Sequence, residues 1–245
     1  MISAQGSLVS GCNGCDQFEE NGFHIAPDVI SPEECDALSA EFTALFHQQQ
    51  AASRRTMGGL RNVLQSSALA AQFALDPRIV SLAGALIGSA AFPVKATFFD
   101  KTSGANWSVP WHQDLAIAVA QRVETSGFGP WSVKDGIVHV QPPTHILEGV
   151  AAVRLHLDDC LADNGALRII PGSHMQGELD TDAISRWTMQ TSAVICQVAK
   201  GSVLIMRPLL LHASTAARCP SHRRVLHVEY ATADLPNGLK WFEHS

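Results

Sequence analysis

Pro110-Trp111-His112-Gln113-Asp114 is the stretch from which the rest of the chain is read. On an extended strand successive side chains point to opposite faces, so His112 and Asp114 project together while Gln113 turns away. One short strand end thus offers two ligands to one metal ion. A third is available 100 positions later at His212, which ends the apolar run Leu209-Leu210-Leu211 and is carried inward by it. Two imidazoles and one carboxylate occupy one face of an octahedral ion and leave three positions open, the pattern of non-haem Fe(II) sites. The same donors also suit zinc. An HxD triplet alone arises by chance, and a buried His bonded to an Asp is a common structural pair, so the neighbouring sequence has to decide.

Working outward, the segments around the triplet are β-like. Strands are expected near 92–100, 109–119, 136–141, 150–157, 166–170, 193–198, 202–206, 209–213 and 223–232. Turn signals separate them, among them Asp163-Asn164-Gly165, Pro171-Gly172-Ser173 and Lys200-Gly201. Before residue 90 the pattern is helical. Ser31-Pro32-Glu33-Glu34 has a capping Ser, a Pro at the first helical position and a Glu that completes a capping box. Further helices are expected at 66–75 and 77–87, the second capped by Asp76-Pro77, and a short one at 177–190. Residues 120–149 are rich in Gly, Pro and Trp with little periodicity, and are expected to form a lid-like loop. His139 and His145 fall inside it and are expected to be solvated. Helices followed by many short strands predict a mainly β, α+β fold in one domain spanning 1–245, with a helical part to about 90 and a β core over about 91–235.

Composition narrows the class. The 245 residues are 46% hydrophobic and 16% charged, enough apolar content for a substantial core. Seventeen Lys and Arg against 23 Asp and Glu leave a net charge of −6, so a nucleic-acid partner is not expected. No stretch approaches the roughly 20 apolar residues of a membrane span, and the first residues lack a signal-peptide pattern, so a cytoplasmic protein is expected. The six Cys are expected to be free thiols. Cys12-Asn13-Gly14-Cys15 is a CxxC that raises redox or zinc chemistry, but no second CxxC accompanies it. The sequence is silent on oligomeric state.

The chain resembles the phytanoyl-CoA dioxygenase family of Fe(II)/2-oxoglutarate oxygenases. The resemblance is carried by Gly22-Phe23, Pro27-Asp28-Val29-Ile30-Ser31-Pro32-Glu33-Glu34, Phe99-Asp100-Lys101-Thr102, Asn106-Trp107 and the opening stretch. It continues through Asn164-Gly165-Ala166-Leu167-Arg168-Ile169-Ile170-Pro171-Gly172-Ser173-His174 and His212-Ala213-Ser214, with Arg223 eleven residues past His212. The HQD and NG…PGSH pieces are specific as a pair and weak singly. The resemblance implies a double-stranded β-helix, a cupin-like jelly-roll barrel with N-terminal helices packed outside. It implies His112, Asp114 and His212 as the iron ligands and Arg223 as the partner of the distal carboxylate of 2-oxoglutarate. Ser214, Trp131, Thr97 and Arg61 fall at or near family positions that line the co-substrate pocket. Arg224 rivals Arg223, because strand periodicity alone leaves open which face of 223–230 turns inward.

The implied activity is hydroxylation, or a related oxidation such as desaturation, of a small organic molecule. Dioxygen is consumed, succinate and carbon dioxide are released, and ascorbate is an expected stimulant. Related halogenases have a small residue where this chain has Asp114, which disfavours halogenation. Two other classes fit parts of the pattern: a cupin-like binding protein without turnover, and a zinc hydrolase using the same three ligands.

Overall fold

The computed structural model describes residues 13–52, 58–88, 90–218 and 220–244, and its helices begin where the sequence caps them. The first part of the chain holds α1 (Asn13–Asn21), β1 (Phe23–Ala26), α2 (Pro32–Ala52), β2 (Gly59–Arg61), α3 (Val63–Ser66), α4 (Ala68–Ala74) and α5 (Pro77–Ile87). At the start of α2, the Glu34 amide donates to Ser31 Oγ at 3.2 Å and the Ser31 amide donates to the Glu34 carboxylate at 2.7 Å. Each satisfies a helix-end amide that has no partner within the helix. At α5, the Asp76 carboxylate accepts from the Arg78 amide at 2.8 Å, with Pro77 in the first turn. Helix α1 went unread because its sequence is mostly polar; Phe18 is the side chain it buries completely. No single described helix is long and apolar enough to cross a membrane.

The remainder holds β3 (Phe92–Lys101), β4 (Val109–His112), β5 (Ile117–Val119), β6 (Trp131–Lys134), β7 (Ile137–Val140), α6 (Thr144–Glu148), β8 (Val150–His156) and β9 (Leu167–Ile169). It continues with α7 (Thr181–Gln190), β10 (Val194–Cys196), β11 (Val203–Met206), β12 (His212–Ser214) and β13 (Arg223–Ala231). A large antiparallel sheet runs β1-β11-β8-β13-β3-β2, and a smaller one runs β10-β9-β12-β4. Consecutive strands switch sheets: β3 leads to β4, β8 to β9, β10 to β11 and β12 to β13. That alternation makes a jelly roll. The sheets are not closed into a barrel, which corrects the barrel expectation. They face each other as a sandwich, with β10 and β4 at the edges of the smaller sheet.

Strand alternation divides the large sheet. From β3, β8 and β13 the residues Ala96, Phe98, Val153, Leu155, Leu226, Val228 and Tyr230 join one apolar cluster with Phe42, Phe73 and Ile79 of the helices. Their neighbours in sequence, including Lys95, Thr97, Phe99, Lys101, Arg154, Arg223, His227 and Glu229, point between the sheets. The helices therefore cover one face, and the polar face is left for chemistry.

Residues 120–149 are more than a lid-like loop: the strand expected at 136–141 is β7, and further elements flank it. They carry β6, β7 and α6, and β5-β7-β6 form a third sheet. The hairpin turns at Asp135-Gly136, both at positive φ, as a two-residue hairpin turn requires. These strands are too short for their period to stand out, but Ile117, Val119 and Val140 bury against Leu147, Leu209 and Trp241. The strand expected over 109–119 is likewise two strands in two sheets. His139 is buried rather than solvated, with its Nδ1 3.1 Å from the Ile137 carbonyl. Cys15, Cys35, Cys160 and Cys196 are free thiols, while Cys12 and Cys219 lie outside the described residues.

Candidate metal centre

His112 and His212 are cross-strand partners: β4 and β12 run antiparallel and place them opposite each other. The two rings lie 4.2 Å apart, centroid to centroid. The His112 Nδ1 is 2.9 Å from the Pro110 carbonyl, and the His212 Nδ1 is 2.8 Å from the Leu210 carbonyl. A carbonyl can only accept, so both Nδ1 atoms carry the proton and both Nε2 atoms present a lone pair. Asp114 follows β4 and is held by its amide, which donates to the Pro208 carbonyl at 2.9 Å. Its carboxylate lies 3.7 Å from His112 Nε2 and 3.6 Å from His212 Nε2. Three ligand atoms within 4.8 Å of one another thus converge on one point.

The protonation states match a metal ligand set. Burial works against the charge on Asp114, but His212, His227, His112 and Lys95 around it hold its pKa down at about 2. Burial also pushes the His212 imidazole down to about 4, so it is neutral near pH 7. His112 and Asp114 keep 36% and 40% of their side-chain surface open to the cavity, whereas His212 keeps 6%. The free coordination face therefore looks into the cavity, not into protein. Gln113 points the other way and is buried. Its amide donates to the carbonyls of Gly177 and Leu209 at 2.8 and 2.7 Å and accepts from the Leu179 amide at 2.8 Å. It clamps the strand that carries the ligands on either side of it.

The PGSH turn supports the third ligand. Buried Ser173 Oγ donates to the Ile170 carbonyl and accepts from the Leu211 amide, both at 2.8 Å, one residue before His212. The glycine of the NG pair has a comparable reason. Gly165 sits at φ +85, and a Cβ there would come within 3.0 Å of Lys101 Nζ and the Thr215 carbonyl.

The metal cluster opens into a cavity of about 270 Å³ between the sheets. Thr97, Ser214 and Arg223 line it with the three ligands; Arg61 and Trp131 do not. Arg61 sits on the edge strand β2 and pairs with Asp135 of the hairpin at 3.0 Å. Trp131 packs on the apolar cluster of the third sheet, with the Arg122 guanidinium 5.3 Å from its ring. The two arginines of β13 part company as strand alternation requires. Arg223 is buried on the cavity side, and its Nε has no hydrogen-bond partner among the described residues. Arg224 makes a two-point pair with Asp158, at 2.8 and 2.6 Å.

Lys95, Lys101, Arg154, His227 and Glu229 also line the cavity; Lys101 falls in a family-like piece, but none of the five was singled out as a site residue. The usable signal was polar residues recurring on one alternate face of otherwise apolar strands, as Lys95, Thr97 and Lys101 do in Lys95-Ala96-Thr97-Phe98-Phe99-Asp100-Lys101. Lys95 Nζ pairs with Glu229 at 2.5 Å. Lys101 Nζ donates to Ser214 Oγ at 3.2 Å and to the Thr215 carbonyl at 2.7 Å. Burial, then the nearby Arg223, lowers the Lys101 pKa to about 8 and that of Arg154 to about 10. Among the described residues no carboxylate lies within 4 Å of Lys101, Arg154 or Arg223. Buried cations without counter-ions are costly and call for an anionic ligand.

A model of the family described as phytanoyl-CoA dioxygenase (PhyH) matches residues 18–225. The chain belongs to this family. Curated relatives include an ectoine dioxygenase of Nocardia farcinica, 26% identical over 168 residues, covering 64% of this chain and 49% of that protein. The peroxisomal phytanoyl-CoA dioxygenase of Rattus norvegicus is 23% identical, covering 89% and 67%. The chain spans about half the length of the ectoine dioxygenases it matches. Among solved structures, AviO1 from Streptomyces viridochromogenes superposes with a TM-score of 0.66 at 23% identity over 91% of this chain and 96% of that one. The epimerase SnoN, solved with Fe3+, α-ketoglutarate and nogalamycin RO, gives 0.67 at 18% over 92% and 90%. These likenesses show the PhyH-family fold, and the donor set of this chain fits a divalent iron.

Proposed function

We propose that this chain is a non-haem Fe(II)- and 2-oxoglutarate-dependent dioxygenase that hydroxylates a C–H bond of a small organic molecule. The observation that carries the proposal is the convergence of His112, Asp114 and His212 beside buried cations that lack counter-ions. Family membership and a fold shared with a protein solved with Fe3+ and α-ketoglutarate support it. When bound, iron and 2-oxoglutarate together supply dioxygen activation, with succinate and carbon dioxide as the co-products.

The chain's own residues supply placement. His112 and His212 hold the metal through Nε2 because their Nδ1 protons are committed to backbone carbonyls. Asp114 contributes the negative charge that keeps a divalent ion bound. Arg223 offers its planar fork to the distal carboxylate of the co-substrate, with Lys101 beside it and Ser214 on the facing strand. Thr97 lines the same cavity.

The deciding experiment is substrate-screened succinate formation with added Fe(II). The native chain should consume 2-oxoglutarate, and Asp114→Ala and His212→Ala should not. Full turnover by either variant, or equal turnover with zinc in place of iron, would refute the assignment.

A further inference from the structure

Arg154 is the buried cation for which the metal and the distal carboxylate leave no task. It lies on β8 with the cavity-facing residues, 8% exposed, in a strand whose other residues are Val, Ala, Leu and a buried His. Its register partner is His227 of β13. Arg154 Nη1 lies 2.8 Å from His227 Nδ1. A guanidinium only donates, so His227 Nδ1 is the acceptor and its Nε2 carries the proton. That Nε2 lies 3.5 Å from Glu229, which in turn takes Lys95. The row Lys95–Glu229–His227–Arg154 thus has each partner's role fixed and ends on an arginine, and the Arg154 Nε has no hydrogen-bond partner among the described residues. The guanidinium also stands 5.8 Å from the Phe99 ring. It is pre-aimed, with donors unspent.

Its position says what it would meet. Arg223 and the register partner of Arg154, His227, are four residues apart on β13, about 13 Å along the backbone. Arg223 pairs in register with Lys101, which places those two cations together at one end. Arg154 lines the same cavity as the three ligands, and its hydrogen-bond partner His227 acts electrostatically on Asp114. The register row Thr97–His227–Arg154 stands four positions along β13 from the Arg223–Lys101 row.

We propose that Arg154 is a second co-substrate-binding residue, one that grips the carboxylate on the metal side of a 2-oxo acid while Arg223 and Lys101 grip the distal one. The assignment rests on the co-substrate reading above and adds to it a specific division of labour between two guanidinium groups.

The test is calorimetric binding to Mn(II)-loaded protein, with 2-oxoglutarate and with 2-oxovalerate, which keeps the 2-oxo acid end and lacks the distal carboxylate. Native protein should prefer 2-oxoglutarate. Arg223→Gln should weaken 2-oxoglutarate alone and erase the preference. Arg154→Gln should weaken both acids by a similar factor, on the order of tenfold or more, as expected for a lost charge-assisted hydrogen bond. Arg154→Lys, which keeps the charge but not the fork, should recover part of the loss with both acids. It also carries the test if R154Q does not fold. Mn(II) affinity serves as the control, since the metal ligands are untouched. An R154Q protein that binds both acids like the native chain overturns the proposal, and so does one that loses only 2-oxoglutarate. Native protein that prefers neither acid over the other, with Arg154 variants still weakened, counts against the distal-anchor reading and leaves the Arg154 assignment standing. Native protein that binds neither acid overturns both.

Discussion

At the scale of single residues, Asp114 is the most constrained side chain. It must stay ionised inside a cavity, and the cations and imidazoles around it make that possible. Asp114→Asn keeps the shape and removes the charge. We expect it to lower Mn(II) affinity by at least about tenfold and to stop succinate formation, read by metal titration and by product assay. Arg224 gives the converse case. Its fork is committed to Asp158 outside the cavity, so Arg224→Ala should leave the 2-oxoglutarate requirement unchanged and cost about 1 kcal/mol of stability in urea unfolding. Arg223→Ala should raise that requirement instead. The triplet was legible because the spacing of His112 and Asp114 is local, and Arg223 was reached only through the spacing of a family motif. The choice between Arg223 and Arg224 was not, because a two-residue period has two faces and the partner that separates them, Asp158, is far away in sequence. Arg154 and His227 are hard to read for a related reason: nothing in either strand's own sequence shows that the two side chains meet until β8 and β13 are paired.

At the scale of elements, helix starts were readable because a cap is a short-range device of three or four residues. The Ser31–Glu34 box and the Asp76 cap both formed as their chemistry requires. Within 120–149, β7 answers the strand expected at 136–141, but β6 and α6 were not readable, because a four-residue strand and a five-residue helix have too few positions to display a period. The PGSH turn reads locally as a turn and acts at a distance. Ser173→Ala would leave the buried Leu211 amide without its acceptor, at a cost of about 1–3 kcal/mol. Since that amide precedes His212, Mn(II) affinity should fall along with stability. Chemical denaturation and metal titration of the same variant would show both, and a stability loss with unchanged metal affinity would separate the turn from the ligand.

At the scale of the whole molecule, several imidazoles are buried neutral. Burial lowers the pKa of His212 to about 4 and also lowers those of His227, His156, His139 and His174. Each binds a proton more readily in the unfolded chain, where the value is near 6.5. Stability contributed by the neutral forms is therefore complete above about pH 6.5 and is lost as pH falls from there toward 4. Asp100 and Glu243, whose carboxyl pKa values burial raises, offset part of that loss. Thermal melts of the metal-free protein should show Tm falling through this window, and saturating Mn(II) should lift the whole curve. A flat Tm between pH 6.5 and 4.5 would contradict the burial of these rings.

The two histidine ligands hang from the smaller sheet, whereas Lys101, Arg154 and Arg223 stand on the larger one. On the proposed assignment, the gap between the sheets would work as a calliper for the length of the diacid. A four-carbon 2-oxo diacid seated at the metal would then fall short of Arg223, and a six-carbon one would have to bend. Oxaloacetate and 2-oxoadipate should accordingly support slower decarboxylation than the five-carbon acid.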